Sequence, residues 1–412
     1  MNVMTTRFLN ILKLALRGQM LAEADVLTQE QWAELFEMAT VHRVLPMIYG
    51  AVYTADSLQQ TDAAFLGALK CQVWQQVIGQ TMRTAEFLEL NEKLRTAGAT
   101  PMVVKGIICR ELYPQPDYRQ SSDEDVLIPA EQFEICHKVM LELGMQTTEQ
   151  NPEAAFEVPY RKEGSPLYIE LHKQLFSPDS DAYGDLNRFF DGVFERKITE
   201  TIHGTAVDTL GYTDHLFYLI CHAFKHFLHS GFGIRQVCDI ILFANRYGNR
   251  VDWMQILENC RQIRADKFAA AMFQIGSKYL VFDPEQAAYP AAWQAIQVDE
   301  MPMLEDLLSG GLYGDANMSR KHSSNITLDA VAAQKQGRKT KGALLTSVFP
   351  SVDKLSGRYP YLKKHPYLVP VAWADRLFHY ARETKETKDN HAADALKIGN
   401  QRVALMKEYD II

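Results

Sequence analysis

Asp123-Glu124-Asp125 runs straight into Val126-Leu127-Ile128, an acidic triplet opening an apolar run. In a strand, alternate side chains share a face, so this spacing puts Asp123 and Asp125 on one side and Glu124 on the other. Two carboxylates projecting together supply half of a divalent-metal site. Upstream, Pro101 to Val104 is apolar and ends at Lys105-Gly106. A strand that turns there leaves backbone N–H groups and a cation available to phosphate oxygens. Together the two features point to metal-assisted chemistry on a nucleoside triphosphate.

Short β-like runs at Thr100 to Val104, Asp125 to Ile128, Phe156 to Tyr160 and Leu167 to Leu171 would carry this chemistry. Lys162-Glu163-Gly164-Ser165-Pro166 reads as the turn between the last two. Gln132 to Leu143, closed by Gly144, fits a crossover helix with a glycine C-cap. Before the strands, Trp32, Leu35, Phe36 and Ala39 recur at spacings of three and four, as do Phe65, Leu69, Val73 and Val77, so the stretch from Thr5 to Leu94 reads as helical. After them, Thr213 can cap a helix from Asp214 to about His229; Gly231 and Gly233 break it, and a second helix follows from Ile234 to Tyr247. Leu308 to Gly311, Gly314 and the polar run Ser319 to Asn325 read as a loop-rich connection, with Gln334 to Lys341 mobile. Apolar character returns at Leu344 to Val348 and Val369 to Tyr380. The divisions expected are a helical region over 1–97, a sheet-containing core over 98–210, a helical domain over 211–300, and a loop-rich tail with a C-terminal helix over 301–412.

At 412 residues the chain exceeds one ordinary core, and 47% apolar with 23% charged residues places it among globular proteins. The formal charge of −8 argues against a wholly basic nucleic-acid-binding surface, so a small-molecule or protein acceptor is expected rather than nucleic acid. Six scattered cysteines with no Cys-x-x-Cys pair fit a reducing cytoplasm. The apolar N-terminal stretch is broken by Asn10 and Lys13 and reads as an amphipathic helix; no run of eighteen apolar residues predicts a membrane span.

Lys105-Gly106, then Leu112-Tyr113-Pro114, then Arg119 with Ser122-Asp123 and Asp125, then Ile169-Glu170-Leu171-His172 form an ordered set. This set resembles the bacterial group of uncharacterised nucleotidyltransferase-family proteins, built on a polymerase-β-type nucleotidyltransferase core. The resemblance continues through His222-Ala223-Phe224-Lys225-His226 and Arg235 to Asp239, over about residues 30 to 300. It implies an α+β fold, a small mixed sheet with helices, flanked by helical regions. It implies an Mg²⁺-dependent enzyme, with Mn²⁺ as the alternative ion, that moves NMP from an NTP such as ATP to an acceptor and releases pyrophosphate.

In this reading Asp123 and Asp125 hold metal, and Glu170 on a neighbouring strand completes the set, with His172 on the same face. The bland alternatives are an exposed acidic loop and a solvent-facing strand position. Lys105 and Gly106 occupy the phosphate-cradle position. The usual turn has Gly-Ser or Gly-Gly, so the missing hydroxyl falls to Ser121 or Ser122. Arg119 is a further candidate for the β- or γ-phosphate through its forked guanidinium, against a plain salt bridge. Glu124 departs from the apolar residue expected between the aspartates, and a carboxylate on the core side needs a partner.

The resemblance implies that His222, Lys225, His226, Arg235 and Asp239 line the helical side of the cleft, with an Asp239 hydrogen bond to a histidine or to Arg235 as the structural counterpart. His222, His226 and His229 share a face that would permit Zn²⁺, but no fourth ligand accompanies them. Lys335, Arg338, Lys339 and Lys341 form a basic run, read as a solvated loop. Trp373, Leu377 and Tyr380 with Arg376 and Arg382 form an amphipathic stretch that packs on its own protein or touches a membrane surface. Three rivals keep other readings open: a catalytically silent nucleotide-binding regulator or scaffold, a toxin-like enzyme acting on RNA or protein, and a helical interaction protein in which the carboxylates lie far apart.

Overall fold

The computed structural model describes residues 1–22, 26–311, 318–337, 352–355, 359–375 and 392–412. Five helices come first: α1 (Val3–Leu16), α2 (Gln29–Val41), α3 (Leu45–Val52), α4 (Asp56–Gln59) and α5 (Ala63–Thr96). Their starts are set by local chemistry. The side chains of Asn2 and Asp62 accept first-turn N–H groups, and Thr28 with Gln31 makes a reciprocal capping box. Apolar faces on α1 and α2 then bury Phe8, Leu12, Trp32 and Leu35.

A six-stranded sheet follows, assembled from β1 (Met102–Val103), β2 (Glu124–Leu127), β3 (Glu157–Arg161), β4 (Tyr168–His172), β5 (Ile198–Ile202) and β6 (Thr205–Thr209) in the order β3-β4-β2-β1-β6-β5. It is mixed: β1 runs antiparallel to β2 and parallel to β6, and β2 runs parallel to β4. Between β1 and β2 lies the short α6 (Gly106–Arg110), and α7 (Phe133–Glu142) crosses over to β3. With the many helices around it, the fold is α+β, as expected.

Alternation along the strands divides the sheet into two faces. Val103, Val126, Ile169 and Leu171 turn one way, into a core closed by Phe87 and Leu94 of α5, Ile107 of α6 and Met140 of α7. Met102 and Leu127 turn the other way, into a larger core shared with α8 (Tyr212–His229) and the N-terminal helices. That second face also carries the candidate chemistry. Helices α9 (Ile234–Tyr247), α10 (Trp253–Gln262) and α11 (Asp266–Tyr279) pack behind α8 through an aromatic interior that includes Phe227, Phe268 and Phe273.

Three local readings are corrected or extended. The cap of α8 is Gly211 rather than Thr213, whose hydroxyl instead accepts the Asp252 N–H at 2.9 Å. The hairpin β5–β6 was not anticipated; its signal was alternation on both sides of His203-Gly204, both of which have positive φ, as a two-residue hairpin turn demands. The polar run Ser319 to Asn325 lies in the helix Met318–Lys335 rather than in a loop. Two polar side chains of this helix face protein: Thr327 Oγ1 donates to the His229 carbonyl at 3.0 Å, and Arg320 Nε to that of Ser230 at 2.7 Å.

Arg402 of the C-terminal helix (Ala392–Glu408) donates to the Phe227 and His229 carbonyls, so the last turn of α8 is capped from two later helices. Residues 338–351 and 376–391 fall outside the described residues, and with them Arg338, Lys339, Lys341, Leu344 to Val348, Arg376, Leu377, Tyr380 and Arg382. Lys335 pairs with Asp185 at 2.5 Å. Among the described residues no helix is long and apolar enough to cross a membrane.

Candidate functional site

The parallel register of β2 on β4 sets Asp125 opposite Glu170 and Leu127 opposite His172. Residues directly opposite in adjacent strands share a face, so carboxylates 45 positions apart in sequence become neighbours. One ligand atom each from Asp125, Glu170 and His172 lies within 4.8 Å of the others. Asp123 precedes β2 and borders the same cleft, which measures ≈ 250 Å³. Across from the sheet, Tyr218, His222, Lys225 and His226 close it from α8.

Lys105 leaves β1 with its ammonium 2.8 Å from Asp125 Oδ2, 3.9 Å from Asp123 Oδ1 and 3.4 Å from His222 Nε2. Burial opposes the Asp125 charge, but Lys105 and His172 outweigh it and hold the carboxyl well below the usual carboxylate range. Burial likewise opposes a charged His172, yet Asp125, Glu170 and Glu157 around it raise the imidazole to about 9. His222 and His226, with Nε2 atoms 3.3 Å apart, go the other way: burial, then the nearby lysines, push both well below the ordinary histidine value. They are neutral rings able to offer lone pairs to ammonium groups.

The residues fit a divalent cation. Asp123 Oδ1 is buried and accepts no hydrogen bond, and Asp125 Oδ2 has the ammonium ion pair but no formed hydrogen bond. The Asp123 oxygen left this way suits a cation beyond Lys105. The carboxylates of Asp123, Asp125 and Glu170, all lining this cleft, offer the oxygen ligands that suit Mg²⁺ or Mn²⁺.

Gly106 explains the turn. Its φ is +46°, and a Cβ there would sit 1.8 Å from Glu124 Oε2. Only glycine meets both conditions. Glu124, the residue that lacked a sequence-level explanation, is fully buried and accepts from Ile107 N at 2.8 Å and from Arg110 Nη1 at 2.5 Å. It ties α6 to β2 and so fixes Lys105 against the aspartates. Arg110 was missed; a cation one turn after Lys105-Gly106 and facing the core was the available signal.

Arg119 does not reach the cleft. Its guanidinium is buried in a forked pair with Asp239, at 2.8 and 2.6 Å, and Tyr113 donates to the same carboxylate at 2.7 Å. Asp239 therefore belongs to this pair rather than to the cleft lining, while Arg235 donates to the Gln120 carbonyl. Both interactions hold the segment before Asp123 onto α9. Ser121 is occupied as well, accepting from Arg110 at 2.5 Å, and Ser122 borders a separate hollow on the α5 side.

The model of a family described as uncharacterised nucleotidyltransferase matches residues 28–280. A similar solved structure is that of an antigenic nucleotidyltransferase-like protein from Paracoccidioides brasiliensis, with 14% identity and a TM-score of 0.30 over 50% of this chain and 96% of that one. No curated protein matches.

Proposed function

Because the chain belongs to the uncharacterised nucleotidyltransferase family, we propose that it transfers NMP from an NTP to a hydroxyl or phosphate of an acceptor, releasing pyrophosphate with the help of a divalent metal. The observation that carries this reading is the pairing of Asp125 with Glu170 across parallel strands, beside Asp123 and Lys105 in one cleft. Asp123, Asp125 and Glu170 would hold Mg²⁺ or Mn²⁺, which supplies charge neutralisation at the reacting phosphate and its leaving group.

The chain's own groups do the positioning. His172 lies 3.5 Å from Asp125 and 3.8 Å from Glu170, and as an imidazolium it holds both carboxylates toward the cleft. Lys105 sits on Asp125 with His222 behind it; a swing of its long side chain carries the ammonium to a phosphate oxygen while the neutral imidazole accepts from it. Gly106 keeps that turn narrow enough for close approach. Lys225, on the α8 side, adds a second cation for the triphosphate. Glu170, less buried than Asp125, would take the acceptor's proton. At ≈ 250 Å³ the cleft suits the charged end of a nucleotide rather than the whole of one.

The test is Mg²⁺-dependent pyrophosphate release from each of the four NTPs, with and without cell extract as acceptor source, comparing the parent with Asp125→Asn. Release that needs extract and falls at least about a hundredfold in the variant supports the transferase. NTP binding without release under any condition favours a nucleotide-binding regulator instead. Absence of binding overturns both.

A further inference from the structure

Beside the metal-site cleft, on the other side of the Gln120–Ser122 segment, α5 and the end of α2 enclose a hollow of ≈ 450 Å³. Its chemistry is the reverse of the cleft's. None of its lining residues is acidic, and two, Arg43 and Arg83, are cationic, in a chain whose net charge is −8. Glutamines and hydroxyls make up most of the rest.

Three polar groups in it are open to an anionic ligand. Arg43 makes no side-chain hydrogen bond or ion pair among the described residues. Arg83 donates to the carbonyls of Pro166 and Ser121 and to Gln80 Oε1, all neutral acceptors, and makes no direct ion pair among the described residues. Gln80 is fully buried, and its amide orientation is fixed because Oε1 accepts from Ser121 N at 2.8 Å and from Arg83 at 3.1 Å. Its Nε2 is thereby left a buried donor with no acceptor. Two cations without a direct ion pair among the described residues and an orphan donor suit the same thing, a group rich in acceptor oxygens and negatively charged.

Ser122 of this hollow is followed in the chain by Asp123 of the cleft, and Arg83 lies within electrostatic reach of both Asp123 and Arg43. We propose that the hollow lined by Arg43, Gln80 and Arg83 is an oxyanion site that seats the phosphate or carboxylate of the acceptor, so that the acceptor is an anionic molecule. The anion part rests on the hollow alone; the acceptor part rests on the transferase reading.

The experiment separates the two. With the full-length chain and the cleft filled by Mg²⁺ and a non-hydrolysable NTP analogue, inorganic phosphate and, separately, acetate are titrated by calorimetry into the parent, Arg43→Ala and Gln80→Leu. Arg43 is exposed and holds nothing in place, so its variant is expected to fold even where Gln80→Leu does not. Saturable binding weakened about tenfold by Arg43→Ala is the expected result, one charge-assisted contact being lost. Which probe competes identifies phosphate or carboxylate as the preferred group. In turnover with extract, Arg43→Ala should raise the acceptor KM while leaving the affinity for the NTP analogue in place.

Absence of anion binding in the parent, or binding indifferent to Arg43→Ala, overturns the site. Arg43-dependent anion binding in a chain that never releases pyrophosphate keeps the site and removes its link to transfer. Pyrophosphate release whose acceptor KM ignores Arg43 overturns the acceptor assignment.

Discussion

Glu124→Leu places at this position the apolar residue type that its neighbours between the two aspartates would suggest, and it should be severely destabilising. Glu124 is 0% exposed and Arg110 1%, and their charges meet at 2.5 Å. Removing one member of such a pair leaves the other buried without a counter-charge, at a cost of about 3–5 kcal/mol. The Ile107 N–H loses its acceptor in the same substitution, a further cost of about 1–3 kcal/mol. The two share one carboxylate and do not add in full, so about 4 kcal/mol is expected. With a urea slope of roughly 2–3 kcal/mol/M, the unfolding midpoint should fall by about 1.5 M. Urea titrations followed by tryptophan fluorescence and far-UV circular dichroism measure it. The double variant Arg110→Met/Glu124→Leu should recover most of the loss, since an apolar pair of similar volume replaces a buried ion pair at little cost. A midpoint shift below about 0.3 M in the single variant, or a double variant no better than the single, would refute the claim that this pair ties α6 to β2.

Gly106→Ala combines a left-handed backbone with a Cβ 1.8 Å from Glu124 Oε2, so it should cost at least about 2 kcal/mol and weaken NTP binding by displacing Lys105; a variant as stable as the parent in the same titration counts against the geometry. Arg119→Lys breaks the forked contact with Asp239 and should lower stability by about 2–3 kcal/mol while leaving NTP affinity of the folded chain unaltered, and a selective loss of affinity would return Arg119 to the triphosphate. Burial depresses His42 and His215 from 6.5 to about 4 in the folded chain. The unfolded chain therefore takes up these protons first, and stability is lost as the pH falls from 6.5 towards 4, by up to about 3 kcal/mol for each histidine. Urea midpoints across that range should flatten in His42→Gln, and an unchanged slope would exclude His42 as a contributor.

Strand alternation made part of the site legible without any tertiary information. Asp125 and Glu170 had to face away from the apolar residues beside them, and Lys105-Gly106 had to follow a strand, because these are consequences of period-two geometry and of glycine's access to positive φ. The helix over Phe133–Glu142 and the break at Gly231 between α8 and α9 were equally local and equally readable. The hairpin β5–β6 was readable too, from His203-Gly204 between alternating runs, and was overlooked because charged and threonine-rich strands resemble surface loops.

What the sequence determined by itself was therefore the local content of the site: which residues alternate, where the chain turns, and which carboxylates lie at strand positions that face away from a core. Which groups meet was decided by packing. The parallel register that sets Asp125 against Glu170 depends on a crossover through α7, and β6 joins β1 from more than a hundred residues away. Arg119 and Arg110 look alike as single arginines after the same turn. One is drawn to Asp239 on α9 and the other to Glu124 on β2, because a buried guanidinium must find a carboxylate and only the folded chain decides which one is within reach.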